Sequence, residues 1–425
     1  MHPWLANRVE IFGKLTDPQH CQPLLDSFNL PALMRQASIV AGKPCIACIP
    51  FGRGGYNTVF LLEIDGGPNL VGRLGGSVYG DVRKFSAEEM KRRYLSEVAT
   101  LAYVRKHTTI PVPAVLHYDV NPDNAVGARY MIIEFMNGPA LSHHWRKFTP
   151  QQRAEVLAKV TAWELQLLNK PFQASGCIID EDGTLGPLCH SSRNQSNLES
   201  GLGPFSSFRD YLLAHCSSTL SKLQQAADTG GSSKFTTHAI NWFSLARSAI
   251  QQLSPLAGAA EPPHFSLFHD QLEMSHIFVS PTNPMELIGV IDWEGSRVAP
   301  VWDSRFRSTF LDDIRIDASC GEMSQEEADA LIEQHRVAIA EGEARPSDTR
   351  LWLASLMYMI DIPVDQIQNR GCEGLKLNNK FLGWYEYVCE THAFGSGEAE
   401  GFAALAEFIR KHREAEFVTC ANLSS

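Results

Sequence analysis

The densest set of reactive side chains lies in FSLFHDQLEMSHIFVSPTNPMELIGVIDWEGSRVAPVWD, residues 265–303. His269, Asp270, Glu273, His276 and Asp292 can all exchange protons or ligate a transition metal. Gln271 sits among them, and its amide can orient a nucleophile but cannot accept a proton at neutral pH. The spacing matches no closed metal motif. The plain alternative is a packed His269 with the other side chains in solvent.

A second group lies in the first quarter of the chain. FGRGGYN carries Gly52, Gly54, Gly55 and Asn57. Glycine there removes the Cβ that keeps phosphates away from backbone N–H groups. Glycine-rich hairpins are also ordinary turns, so this loop means little by itself. Arg73 ends the third apolar run, and Glu97 lies where a following helix can offer it a carboxylate partner. Glu88 and Glu89 stand nearer that helix's start, where complementing its dipole explains them.

The elements that must position these groups follow from periodicity. Short apolar runs CIACIPF, TVFLLEI and NLVGRL are separated by the turn signals RGGYN and DGGP, which predicts an antiparallel meander. FSAEEMKRRYLSEVATLAYVRKH repeats its apolar residues at helical spacing behind Ser86. Two further strands are expected at AVLHYDV and ARYMIIEFM. After residue 138 the pattern turns helical, near 150–169, 205–227 and 238–252. Short strands HIFV and ELIGVI follow, then helices near 324–341, 347–361, 377–391 and 401–416. The expected organisation is a leader over 1–40 packed on a first lobe of 41–137, with a helical lobe over 138–425 that contains the reactive region 265–303.

The 425 residues carry a net charge of −11, with 44% apolar and 20% charged residues. That balance disfavours broad attraction to nucleic acid or to an anionic membrane. No apolar run reaches the roughly 18 residues of a membrane span. The first residues, MHPWLANRVEIFGKLTD, lack the apolar core of a secretory signal, so a cytoplasmic location is expected. Ten cysteines are scattered along the chain. Cys45 and Cys48 form a C-x-x-C without a second pair, and a regular strand would point them to opposite faces.

In order, RGGYNTVFLLEI, SEVATLAYVRKHTTIPVPAVLHYDV, GARYMIIEFMNG and the 265–303 segment resemble the aminoglycoside-phosphotransferase and choline-kinase family, its fungal members in particular. The resemblance spans about residues 40–310. It implies an α+β, bilobal protein-kinase-like fold with a small antiparallel β lobe and a larger helical lobe. It also implies transfer of phosphate from ATP, with Mg²⁺, to a hydroxyl or amine of a small-molecule substrate. In that family Gly54, Gly55, Asn57 and Arg73 would attend the nucleotide, with Glu97 paired to Arg73. The family loop reads H-x-D-x-x-x-x-N and is followed by a metal-binding Asp. His269 matches the histidine and Asp292 the metal-binding Asp. Gln271 replaces the Asp that serves as base, and His276 replaces the Asn that holds Mg²⁺. Asp270 or Glu273 can be imagined supplying the missing carboxylate. Three readings stay open: a phosphotransferase, a pseudokinase that binds or regulates, and a kinase fold repurposed for other chemistry. Trp293, Trp302 and Asp303 match family positions beneath the cleft, where the tryptophans are expected to pack as core. The acceptor is not legible, although Asp312 and Asp313 are acids that a cationic acceptor, or solvent, would explain.

Overall fold

The computed structural model describes residues 26–53, 57–75, 85–189, 201–231, 234–252, 264–302 and 308–342, together with 403, 406, 407 and 410. Helix α1 (Leu30–Ala41) is capped by the Asn29 side chain and ends at Gly42, whose φ of 63° is a left-handed cap that suits glycine. Strands β1 (Cys45–Arg53), β2 (Asn57–Ile64) and β3 (Leu70–Gly75) form the expected meander. Helix α2 (Ala87–His107) follows, with Ser86 accepting from Glu89 N–H, acids in its first turn and bases in its last. Strands β4 (Val115–Asp119) and β5 (Tyr130–Glu134) complete an antiparallel sheet ordered β1-β2-β3-β5-β4.

Both faces of this sheet are covered, which explains why β2 and β5 are nearly continuous apolar runs. On one face Leu33 and Ala37 of α1 meet Phe60, Leu62, Tyr130 and Ile132. On the other, Tyr94 of α2 packs with Val71, Met131 and Ile133. Helix α1 thus covers one face of the sheet, while residues 1–25 of the expected leader lie outside the described residues. A bulge between Cys45 and Ala47 alters one expectation. The extra residue, Ile46, points outward at 61% exposure, and Cys45 and Cys48 both pack against the same apolar cluster.

The helical lobe opens with α3 (Ser142–Trp145) and α4 (Pro150–Leu168), the latter started by a Thr149–Gln152 capping box and by Pro150. A two-residue hairpin, β6 (Cys177–Ile178) and β7 (Leu185–Gly186), precedes α5 (Phe208–Ala226) and α6 (Lys234–Gln252). Then come β8 (Phe265–Phe268), β9 (Ile277–Val279), β10 (Leu287–Val290) and β11 (Arg297–Pro300), followed by α7 (Phe310–Ser319) and α8 (Gln325–Gly342). Periodicity did not anticipate the hairpin β6–β7, strand β11 or helix α7. The first two are too short for a period to declare itself. The helices expected over 347–361 and 377–391 lie outside the described residues, and of 401–416 only four residues are described.

One apolar core runs through this lobe. Trp145 meets Phe310 edge-on at 5.3 Å, and Phe208 contacts both Phe265 and Trp302. Trp293 and Trp302 are buried. The result is the bilobal α+β architecture of protein kinases.

Candidate active site between the two lobes

The loop of residues 269–276 runs from β8 to β9, and the β9–β10 hairpin folds Asp292 back onto it. Ile291 N–H donates to His276 carbonyl at 3.0 Å, fixing the register. His276 Nε2 then lies 3.5 Å from Asp292 Oδ2, while its Nδ1 is 2.8 Å from Gln271 carbonyl and donates to it. Asp292 is held with φ at 65°, a left-handed conformation that aspartate tolerates better than most residues.

His269 is locked beneath this loop. Its Nδ1 accepts from Gln271 N–H at 3.0 Å, so its Nε2 carries the proton and donates to Ile291 carbonyl at 3.0 Å. The ring lies edge-on to Trp293 at 4.5 Å. Burial, with His276 nearby, pulls its pKa down to about 4, so the ring is neutral near pH 7.

Arg73 projects from β3 and pairs with Glu97 of α2, a buried contact between strand and helix. Its other terminal nitrogen points to Asp292 Oδ1 at 3.6 Å and Glu294 Oε2 at 3.7 Å. Burial works against the Arg73 charge, but Glu97, Asp292 and Glu294 together overcome it and hold the guanidinium charged. Burial pushes the Glu97 carboxyl up to about 7 against the pull of Arg73, and Glu294 and Asp292 add to the rise. Tyr94 OH donates to the Arg73 carbonyl at 3.0 Å, fixing the strand from below.

Glu294 is the residue that sequence reasoning passed over. It is buried, accepts from Arg93 Nη2 at 2.8 Å and from Asn57 Nδ2 at 3.2 Å, and so joins α2, β2 and the Asp292 loop. The Asp-Trp-Glu triplet contains it, but its cationic partner is 201 positions earlier in the chain. Asp313, an acid the sequence offered for a cationic acceptor or for solvent, has an internal role instead. It accepts from Met274 N–H at 2.8 Å and anchors the loop, while Asp312 pairs with Arg315. Both acids thus have partners within the protein.

Several of these groups line a cleft of about 310 Å³ between the lobes, inside the range of roughly 300–1,000 Å³ common for small-molecule sites. Val59, Val71, Ile133, Phe135 and Met136 give it an apolar end, and Asn57, Arg73, Glu97, His276, Asp292 and Glu294 a polar one. The structure does not bring all the expected residues to it. Among the residues that line the cleft, His269, Asp270, Gln271 and Glu273 are missing. Asp270 is buried and Glu273 half-buried. Gly54 and Gly55 lie outside the described residues, as does Asp303.

A model of the phosphotransferase enzyme family matches residues 47–303, which takes in the sheet, α2, the 269–276 loop and Asp292. The chain belongs to that phosphotransferase family. It is 22% identical over 307 residues to a subtelomeric hrmA-associated cluster protein of Aspergillus fumigatus, across 60% of this chain and 58% of that protein. It is 24% identical over 202 residues to the altered inheritance of mitochondria protein 9 of Candida albicans, across 46% of this chain and 31% of that protein. The chain therefore spans little more than half the length of the Aspergillus relative. Among solved structures it is similar to a thermostable mutant of aminoglycoside phosphotransferase APH(4)-Ia in ternary complex with ADP and hygromycin B. That similarity is 12% identity and a TM-score of 0.41, covering 89% of this chain and 98% of the other. Among the described residues no helix is long and apolar enough to cross a membrane.

Proposed function

We propose that the interlobe cleft binds ATP with its phosphates on Arg73, and that the protein is a phosphotransferase directed at a hydroxyl or amine of a small molecule. The observation that carries this reading is the convergence of Arg73, Glu97 and Asp292 in one cleft. A cation locked by a buried carboxylate is pre-positioned for phosphate oxygens and loses little freedom when they arrive. The apolar end of the cleft, from Val59 to Met136, suits the flat face of a purine.

In this reading His269 holds the loop rather than exchanging protons, because both its nitrogens are committed to backbone groups. Gln271 orients the acceptor at most, so the acceptor's proton must leave to solvent or to the phosphate itself. Transfer is correspondingly slow, since a positioned base contributes about 10²–10⁴-fold. The Mg²⁺ position is a poor fit. Asp292 offers an oxygen, but the neighbouring donor is the imidazole of His276, and Mg²⁺ favours oxygen ligands. Among the described residues no group of three or more acidic, histidine or cysteine ligands surrounds it.

Calorimetry of ATP binding with and without Mg²⁺ tests the reading, with ATP phosphate release as the second measurement. Binding is expected in both conditions, and its absence at millimolar ATP would end the proposal. The His276–Asp292 contact favours one alternative, a pseudokinase that retains the nucleotide and no longer transfers phosphate. Binding without any release of phosphate, across a panel of amine and hydroxyl acceptors, would select it.

A further inference from the structure

Behind α2, away from the cleft, the hairpin β6–β7 brings together two cysteines twelve positions apart. Cys177 lies in β6, opposite Gly186, and Cys189 follows β7. Cys189 N–H donates to Cys177 Sγ at 3.2 Å. Ser96 of α2 lines the same cavity as both cysteines. A backbone bridge between Gly176 and Val298 sets Arg297, a buried guanidinium, beside the same strand.

Both thiols line a cavity of about 360 Å³ together with Arg92, Leu95 and Ser96 of α2. Its lining includes the exposed Tyr118, Ile179, Glu181 and Pro187, so the cavity leads from the surface towards two cysteines that are only 2% and 4% exposed. We propose that Cys177 and Cys189 are a peroxide-oxidised dithiol site, with Cys177 as the attacking thiolate and Cys189 as the resolving thiol. The Cys189 N–H at 3.2 Å, with the Arg297 charge near, stabilises a thiolate on Cys177, which is the reactive form.

The two thiols are also driven apart in acidity. The Cys189 hydrogen bond, helped by Arg297 and opposed by burial, draws Cys177 down to about 6, whereas Cys189 is raised. Burial raises Cys48 and Cys216 to about 12, away from reactivity. In the first step the Cys177 thiolate attacks one oxygen of hydrogen peroxide. The O–O bond breaks, the departing hydroxide takes a proton to become water, and Cys177 becomes a sulfenic acid. In the second step the Cys189 sulfur attacks the sulfenic sulfur, expels its oxygen as a second water, and closes the disulfide. The dithiol loses two electrons and two protons to one peroxide. The step needs no nucleotide, so its outcome stands apart from the reading of the cleft.

The test treats the folded full-length protein with hydrogen peroxide, blocks the remaining thiols, and maps peptides without reduction. The expected result is a Cys177–Cys189 linked peptide, a thiol titre lower by two, and full recovery with dithiothreitol. In Cys189→Ser, dimedone should label Cys177 at least about tenfold faster than it labels Cys320. A folded wild-type protein that keeps both thiols while exposed Cys320 is consumed overturns the proposal. So does dimedone labelling of Cys177 no faster than Cys320. The wild-type peptide map needs no variant, so misfolding of a substituted protein cannot rescue or sink it.

Discussion

Arg73 is paired with Glu97 on one side while its other terminal nitrogen points to Asp292, 3.6 Å away. One guanidinium therefore joins the small lobe's sheet, its helix and the loop of the larger lobe. A phosphate group entering the cleft would meet a cation already held by carboxylates on two elements.

Glu97→Ala is expected to weaken ATP binding and to destabilise the protein by about 3 kcal/mol, the scale for removing one partner of a buried ion pair. Arg73 would keep its longer contacts with Asp292 and Glu294 but lose its anchor on α2. Calorimetry and denaturant unfolding measure the two effects. A variant that unfolds earlier yet binds ATP unchanged would separate Glu97 from the nucleotide.

His269 gives the fold a dependence on acid. Its folded pKa of about 4 lies below the unfolded histidine value of about 6.5. The unfolded chain therefore binds more protons between those values, and stability falls as pH drops from about 6.5 towards 4. The full loss from this group is about 3 kcal/mol. Protonating Nδ1 would also break the bond it accepts from Gln271 N–H. In His269→Asn, urea unfolding should depend less on pH across that window.

The paired change Gln271→Asp and His276→Asn restores a proton acceptor and an oxygen ligand. It is expected to raise ATP turnover by about 10²-fold in the presence of Mg²⁺, the lower scale for a positioned base. A coupled assay for ADP measures it. An unchanged rate would mean that the loop, at the position of Gln271, does not reach the transferred phosphate.

Gly138→Ala should be among the most damaging single methyl additions. A Cβ there would lie 1.8 Å from the Val279 carbonyl oxygen and 2.9 Å from Ile288. The backbone between β5 and the helical lobe would have to move, at an expected cost of about 3 kcal/mol or more. Thermal unfolding checks this, and a shift of only a degree or two would show that the linker relaxes freely.

Much of this protein was settled by its sequence. The meander and α2 were legible because alternation, helical spacing, Ser86 and the turn residues all pointed the same way. Arg73, Glu97, His269, His276 and Asp292 could be nominated from type and order. The bulge at Ile46 could not, since one extra residue leaves no trace in a short apolar run. Nor could the roles of Glu294, Asp313 or Cys177, whose partners lie far along the chain or depend on two-residue strands. Local pattern fixes which elements form, because each is stabilised by neighbours in sequence. Which carboxylate meets which cation, and which thiol faces which, is decided only when the lobes pack and distant side chains lose their water together.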